Sequence, residues 1–373
     1  MEIAAILWLV NEFTQSPLML TIVGSCRFVT MIFFPIAGGV IADRADRRNL
    51  LVATLVSFFL VSVLLAVLSF TGLIAVWHLI IASLLVGFVT SFNHPARQSI
   101  VPNLVRKEHL LNAISLDTLS VQAPRVIGMA IAGYFMVTLG VWPIFAIRAF
   151  GCLLAIFWLY LAEVPSTSVT TKTQRPLQNL TEGFHYLASN PLVMSMLVLY
   201  LVPWLAQNTY VSFMPVFAKD IVRIGAIGYG YFQAAPGFGA VLCLIALALL
   251  TYSRGRMRLL PGASVALGVS LVGFAVSHWV FLSILLLVAI GAAGTALVAL
   301  NTTLIQGVIP DELRGRVMGW REVAFGIGPT GSILFGAIAK YTGVPLSLAS
   351  LGVICLIISI LLIFLHPKLE NFK

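Results

Sequence analysis

Gly39-Val-Ile-Ala-Asp43-Arg44-Ala-Asp46-Arg47-Arg48 is a short charged hinge joining two apolar runs, at about 17–42 and about 49–70. Each run exceeds the ~20 residues that carry an α-helix across a hydrocarbon core of about 30 Å. Outward from this hinge the pattern repeats, at about 74–94, 110–136, 142–162, 191–215, 225–250, 258–276, 279–303, 316–340 and 344–366. Of all residues 60% are hydrophobic and only 9% charged, with a mean hydropathy of +1.03. A soluble domain carries about 25% charged residues. The runs are continuous rather than alternating, so helices, not a barrel, satisfy the backbone in lipid. The expectation is an all-α membrane protein.

Charge then orients the bundle. Arg44, Arg47, Arg48, Arg97, Arg106, Lys107, Lys172, Arg175, Arg254, Arg256, Arg258, Arg314, Arg316 and Arg321 read as loop residues on the Asp43 side, with Lys368 and Lys373 on the tail. The opposite side has only Lys219, Arg223 and Lys340. By the positive-inside rule the Asp43 loop and the C-terminus are cytoplasmic. The net charge of +9 is thus spread over alternate loops, which argues against nucleic acid. Cys26, Cys152, Cys243 and Cys355 all lie in apolar runs and read as small core residues. The histidines are scattered without ligand spacing, so no metal or cofactor is expected.

The longest connector, 163–190, is polar and then amphipathic, and divides the chain into an N-terminal half (1–162) and a C-terminal half (191–366), with a tail at 367–373. The halves share features. Asn93, Gln98 and Pro102 recur with the same spacing as Asn301, Gln306 and Pro310, and Arg48 recurs at the same offset as Arg256. Before the first full run, Ile3 to Val10 is a stub that, at about 1.5 Å per residue, covers less than half the core. Projecting the repeat backwards from Pro191 puts the start of this first helix about 17 residues before Met1, so the reading expects an incomplete first helix.

Two related halves, with an acid-containing basic loop between the second and third helices of the first, resemble the major facilitator superfamily. Gly39-x-Ile41-x-Asp43-Arg44-x-x-Arg47-Arg48 is similar to its signature loop, with Asp46 where a second Gly is usual. Pro95-Ala-Arg97-Gln98, Pro102-Asn-Leu-Val105, Leu111-Asn112-Ala113 and Ile309-Pro310-Asp-Glu-Leu-Arg314-Gly315-Arg316 look like the macrolide-efflux and enterobactin-exporter subfamily. The resemblance implies two six-helix halves, no enzyme activity, and a gating loop of Gly39, Asp43, Arg44, Arg47 and Arg48. In that loop Asp43 would meet the N-terminus of the helix beginning near Gly315, where unpaired N–H groups favour an anion. A topology determinant alone is the plainer reading of the same residues. The fourth span lacks the arginine common in proton antiporters of the superfamily, and Met129 replaces the Pro of the usual Gly-Pro pair. Gly328-Pro329-x-Gly331 keeps that pair in the second half.

Ionisable residues at membrane depth need a reason. Arg27, Arg125 and Arg148 fall within spans, and Asp117 and Glu322 read as the only acids that do. Asp117, Arg125 and Glu322 are candidates for proton coupling, with pairing to cytoplasmic arginines the structural alternative. Arg27, Gln122, Trp204, Gln207, Asn208, Tyr210 and Gln233 are candidates for lining a substrate cavity, with interhelical hydrogen bonding the alternative for each. The resulting expectation is a monomeric secondary transporter in a bacterial inner membrane, exporting small amphipathic molecules in exchange for protons. A truncated homologue acting as a membrane receptor is its rival.

Overall fold

The computed structural model describes residues 1–34, 47–104, 126–161, 185, 187–249, 259–309 and 311–365. Among them the regular elements are helical: α1 Glu2–Thr14, α2 Pro17–Phe33, α3 Arg47–Phe70, α4 Val76–Leu104, α5 Val126–Thr138 and α6 Trp142–Leu161. They continue with α7 Pro191–Val216, α8 Gly225–Leu249, α9 Leu259–Val276, α10 Val280–Val308, α11 Asp311–Thr330, α12 Ser332–Thr342 and α13 Val344–Leu365. Nine helical stretches among the described residues are long and apolar enough to cross a membrane. At 13 residues α1 spans about 20 Å, short of a full crossing. The chain is an all-α, multi-pass membrane protein.

The chain divides into two compact units. Unit 1 is Met1–Gln15 with Cys26–Gln174, and unit 2 is Ser16–Ser25 with Arg175–Lys373. The first half of α2 therefore groups with the C-terminal helices, although it precedes the linker in sequence.

In unit 1, α3 packs against α4 and α6, and α1 against α4 and α6. Exposure on α3 follows helical spacing: Val56, Leu60, Leu64 and Val67 point outward while Thr54, Ser62 and Leu65 are buried. Apolar residues thus face lipid and small polar ones face protein, the arrangement expected where the solvent is hydrocarbon. The buried Ser62 hydroxyl donates to the Phe58 carbonyl one turn back (2.7 Å), which satisfies it within its own helix. The Asn93 amide of α4 donates to Thr54 Oγ1 of α3 (2.8 Å).

In unit 2, α9 packs against α10 and α13, and α8 against α10. The α8–α10 seam is a reciprocal glycine contact. A Cβ on Gly239 would strike the Val288 carbonyl, and one on Gly291 would strike the Pro236 carbonyl. Bare backbones approach closely here, which gives the van der Waals packing that helps hold helices together in lipid. Helix α7 carries Pro203 and Pro215 and ends in a five-residue π turn, Phe217–Ile221, the kind of local unwinding that proline invites. The run read as a single span at 316–340 supplies one candidate crossing, Val323–Thr342, built from α11 and α12 with the helix interrupted at Gly331. There the Leu334 N–H turns back to the Gly331 carbonyl (3.2 Å). Pro329, which has no N–H to give, sits just before the interruption.

Candidate functional site

Two facing stripes on α7 and α11 build the site in unit 2. Tyr200, Trp204 and Asn208 are spaced by four on α7, as are Arg321, Phe325 and Pro329 on α11, so each set lies on one helical face. The sets meet rung by rung at a constant offset. The Arg321 guanidinium lies 4.5 Å from the Tyr200 ring centroid. The Trp204 and Phe325 rings meet edge to face at 4.4 Å. The Asn208 amide donates to the Pro329 carbonyl at 2.9 Å. Because the pairs ascend together in number, the two helices run parallel.

The third rung is the most polar. The two Asn208 Nδ2 hydrogens are shared among the Pro329 carbonyl, Ser25 Oγ (3.1 Å) and Ser332 Oγ (2.6 Å). The Ser25 hydroxyl donates to the Pro329 carbonyl (2.9 Å) and lies 3.0 Å from Ser332 Oγ. All of these bonds are buried. In a medium without water an unmet polar group costs several kcal/mol, so this closed network accounts for the polar residues at its depth.

Ser25 belongs to the part of α2 that groups with unit 2, and two further contacts seat that segment. A Cβ on Gly336 would collide with Thr21 Oγ1, and one on Gly24 would lie 2.5 Å from Ser212 Oγ. Thr21, Gly24 and Ser25 share one face of α2, which leaves no gap for a larger side chain there.

The expected cavity residues fall in different surroundings. Trp204 is half-buried, and its indole N–H has no hydrogen-bond partner among the described residues. Gln207 is half-buried beside the ladder. Asn208 is committed to the network above. Tyr210 is buried, and the buried Gln233 donates to its own-helix neighbour Tyr229 (2.8 Å). Arg27 is half-buried in unit 1, and its carbonyl accepts from Thr30 (2.9 Å). Gly39, Asp43, Arg44, Asp117, Gln122 and Arg125 lie outside the described residues, as do the side chains of Arg47 and Glu322. Arg48, from the expected gating loop, donates to the Tyr160 carbonyl (2.8 Å) and lies 5.4 Å from that residue's ring.

Two readings change. Arg321, counted with the loop arginines, lies about three turns into α11 and stacks on a buried tyrosine. Asp117 and Glu322 are not the only acids on apolar helices, because Glu2 of α1 forms an ion pair with Arg148 of α6. Glu2 immediately precedes the Ile3–Val10 stub, which is too short to be read as a span. Ser25, Ser332 and Phe325 are absent from the expected site; the spacing of four on α11 points to Phe325, whereas nothing in the sequence points to Ser25 or Ser332.

Comparison with known proteins agrees with this architecture. Residues 1–373 match the family described as transmembrane secretion effector. The staphyloferrin A transporter of Staphylococcus aureus (strain NCTC 8325 / PS 47) is 25% identical over 369 residues, covering 97% of this chain and 91% of that protein. The enterobactin exporter EntS of Escherichia coli O1:K1 / APEC is 27% identical over 366 residues, covering 96% and 85%. Among solved structures, the nucleoside transporter NupG superposes with a TM-score of 0.74 at 13% identity, over 99% of this chain and 94% of that one. A bacterial homologue of the human lysosomal transporter Spinster gives 0.69 at 15%, over 99% and 95%. These structural likenesses speak for the fold alone. With every residue of the sequence matched, the chain belongs to the transmembrane secretion effector family of major-facilitator membrane transporters.

Proposed function

We propose that this protein exports a small amphipathic molecule, siderophore-like in character, by alternating access driven by protons. The observation that carries the reading is the junction at Pro329–Gly331, where a transmembrane helix is interrupted and its carbonyl is held by side chains of two other helices, Asn208 and Ser25. Interrupted helices near the middle of the bilayer are where secondary transporters bind and bend. The export direction and the siderophore class are supported by the relatives named for the export of enterobactin and the transport of staphyloferrin A.

The Asp43 loop serves in this reading as the inner latch, and the half-buried Trp204 and Gln207 face the substrate. Coupling requires a carboxylate at depth that alternates between protonated and ionised forms. Asp117 near Arg125, and Glu322, are candidates by position in the sequence. The protein resides as a monomer in a bacterial inner membrane with its C-terminus in the cytoplasm, as the distribution of basic residues directs. A deletion strain challenged with a panel of siderophores and amphipathic antibiotics tests the substrate class. Increased sensitivity to, or intracellular retention of, members of one chemical class is expected. Unchanged sensitivity and retention across the panel would count against export.

A further inference from the structure

The pair formed by Glu2 and Arg148 is not used by anything above. Both residues stand on apolar helices of unit 1, and their side chains are 10% and 22% exposed. Arg148 is six residues into α6, about 9 Å from the end marked by Trp142, and Glu2 is about 18 Å along α1 from Thr14. With the length of an arginine side chain added, both charges come near the middle of a core about 30 Å thick. The guanidinium also lies 5.1 Å from the Phe58 ring centroid of α3, so it has an aromatic face on one side and a carboxylate on another. Charges at this depth are rare, are paired, and mark ion or substrate pathways.

We infer that Glu2 is the proton-coupling carboxylate of the transport cycle and that Arg148 is its counter-ion. In one state the ionised carboxylate is paired and α1 is docked against α6. A proton arriving from the outer side adds to a Glu2 carboxylate oxygen, the ion pair breaks, and Arg148 keeps its charge against the Phe58 ring. Release of that proton to the inner side restores the pair. The titratable groups on this part of α6 are Arg148 itself and, one turn on, the buried thiol of Cys152. Helix α4, also packed on α1, has no ionisable residue between Leu79 and Asn93, and α5, whose Gly128 lies against the Met1 side chain, has only the exposed Tyr134. Among the described residues, a further cation on a unit 1 helix is Arg27, whose carbonyl lies against Gly87 of α4.

This assignment rests on the proton-driven reading above, and the test separates the two. The full chain is reconstituted in proteoliposomes with a siderophore or drug identified by the panel, and two fluxes are read: uphill export driven by a proton gradient, and equilibrium exchange of labelled for unlabelled substrate. Glu2→Gln is expected to lose at least about tenfold of driven export while keeping exchange, and its exchange should no longer vary with pH between about 5 and 9. Arg148→Lys, which keeps a cation, is expected to retain drive with a shifted pH profile. Wild-type drive in Glu2→Gln would overturn the assignment, as would loss of both fluxes together with an unchanged pH profile in Glu2→Asp. If Glu2→Gln does not reach the membrane, Glu2→Asp decides by the same profile, since a shortened but ionisable side chain moves it only if Glu2 is the titrating group. Absence of gradient-driven export in the wild type would instead overturn the proton-driven reading itself.

Discussion

Asn208 and Pro329 are joined by a 2.9 Å hydrogen bond from a side-chain amide to a main-chain carbonyl, at the point where α11 gives way to α12. The same carbonyl accepts from Ser25. One side chain on α7 therefore holds both the interrupted helix and the segment of α2 that belongs to unit 2.

Asn208→Ala removes all three donor contacts at once and leaves the Pro329 carbonyl with Ser25 alone. Single hydrogen bonds between membrane helices average about 0.6 kcal/mol and reach about 1.7 kcal/mol. The expected loss is about 1–2 kcal/mol, measured by thermal unfolding in detergent. Asn208→Asp should be worse than Asn208→Ala, because it replaces a donor with a buried charge facing a carbonyl. Equal stability of the two variants would contradict the geometry.

Gly336→Ala should unseat α2, because its new methyl collides with the Thr21 side chain. Thr21→Gly in the same chain should recover most of the loss. Gly291→Ala is different, since the colliding atom is the Pro236 carbonyl and no side-chain change can make room. Its expected cost is about 1–3 kcal/mol, with no second-site rescue at side chains on α8. Melting temperatures of the single and double variants check both expectations.

The Arg321–Tyr200 contact should survive Tyr200→Phe and be lost in Tyr200→Leu, because it depends on the ring face and not on the hydroxyl. A double-mutant cycle with Arg321→Met is expected to give a coupling of about 0.5–2 kcal/mol. A coupling near zero would mean that the two side chains are neighbours without being partners.

Much of the fold was legible because its strongest constraint, an apolar run about 20 residues long, is written directly in composition. The spans around Leu60 and Leu285 could hardly be read otherwise. The break at Gly331 was harder to place. Pro329 flagged a bend, but whether a transmembrane helix bends or breaks depends on what meets the freed backbone, here Asn208 and Ser25 from distant parts of the chain. Trp204 and Asn208 were visible as polar residues at depth, yet only packing shows that one has an indole N–H without a described partner and that the other commits its amide nitrogen to a buried network. Glu2 was hidden by a length argument. The stub that carries it is too short to cross, but it is long enough to deliver a carboxylate to Arg148.

The most direct test of a proton-driven exporter is uphill efflux of a panel-identified substrate from energised cells, with and without a protonophore. Efflux against its gradient that collapses when the protonophore is added, while cellular ATP is held constant, is the expected result. Efflux that persists without a proton gradient, or no efflux by the folded, membrane-inserted protein, would contradict it.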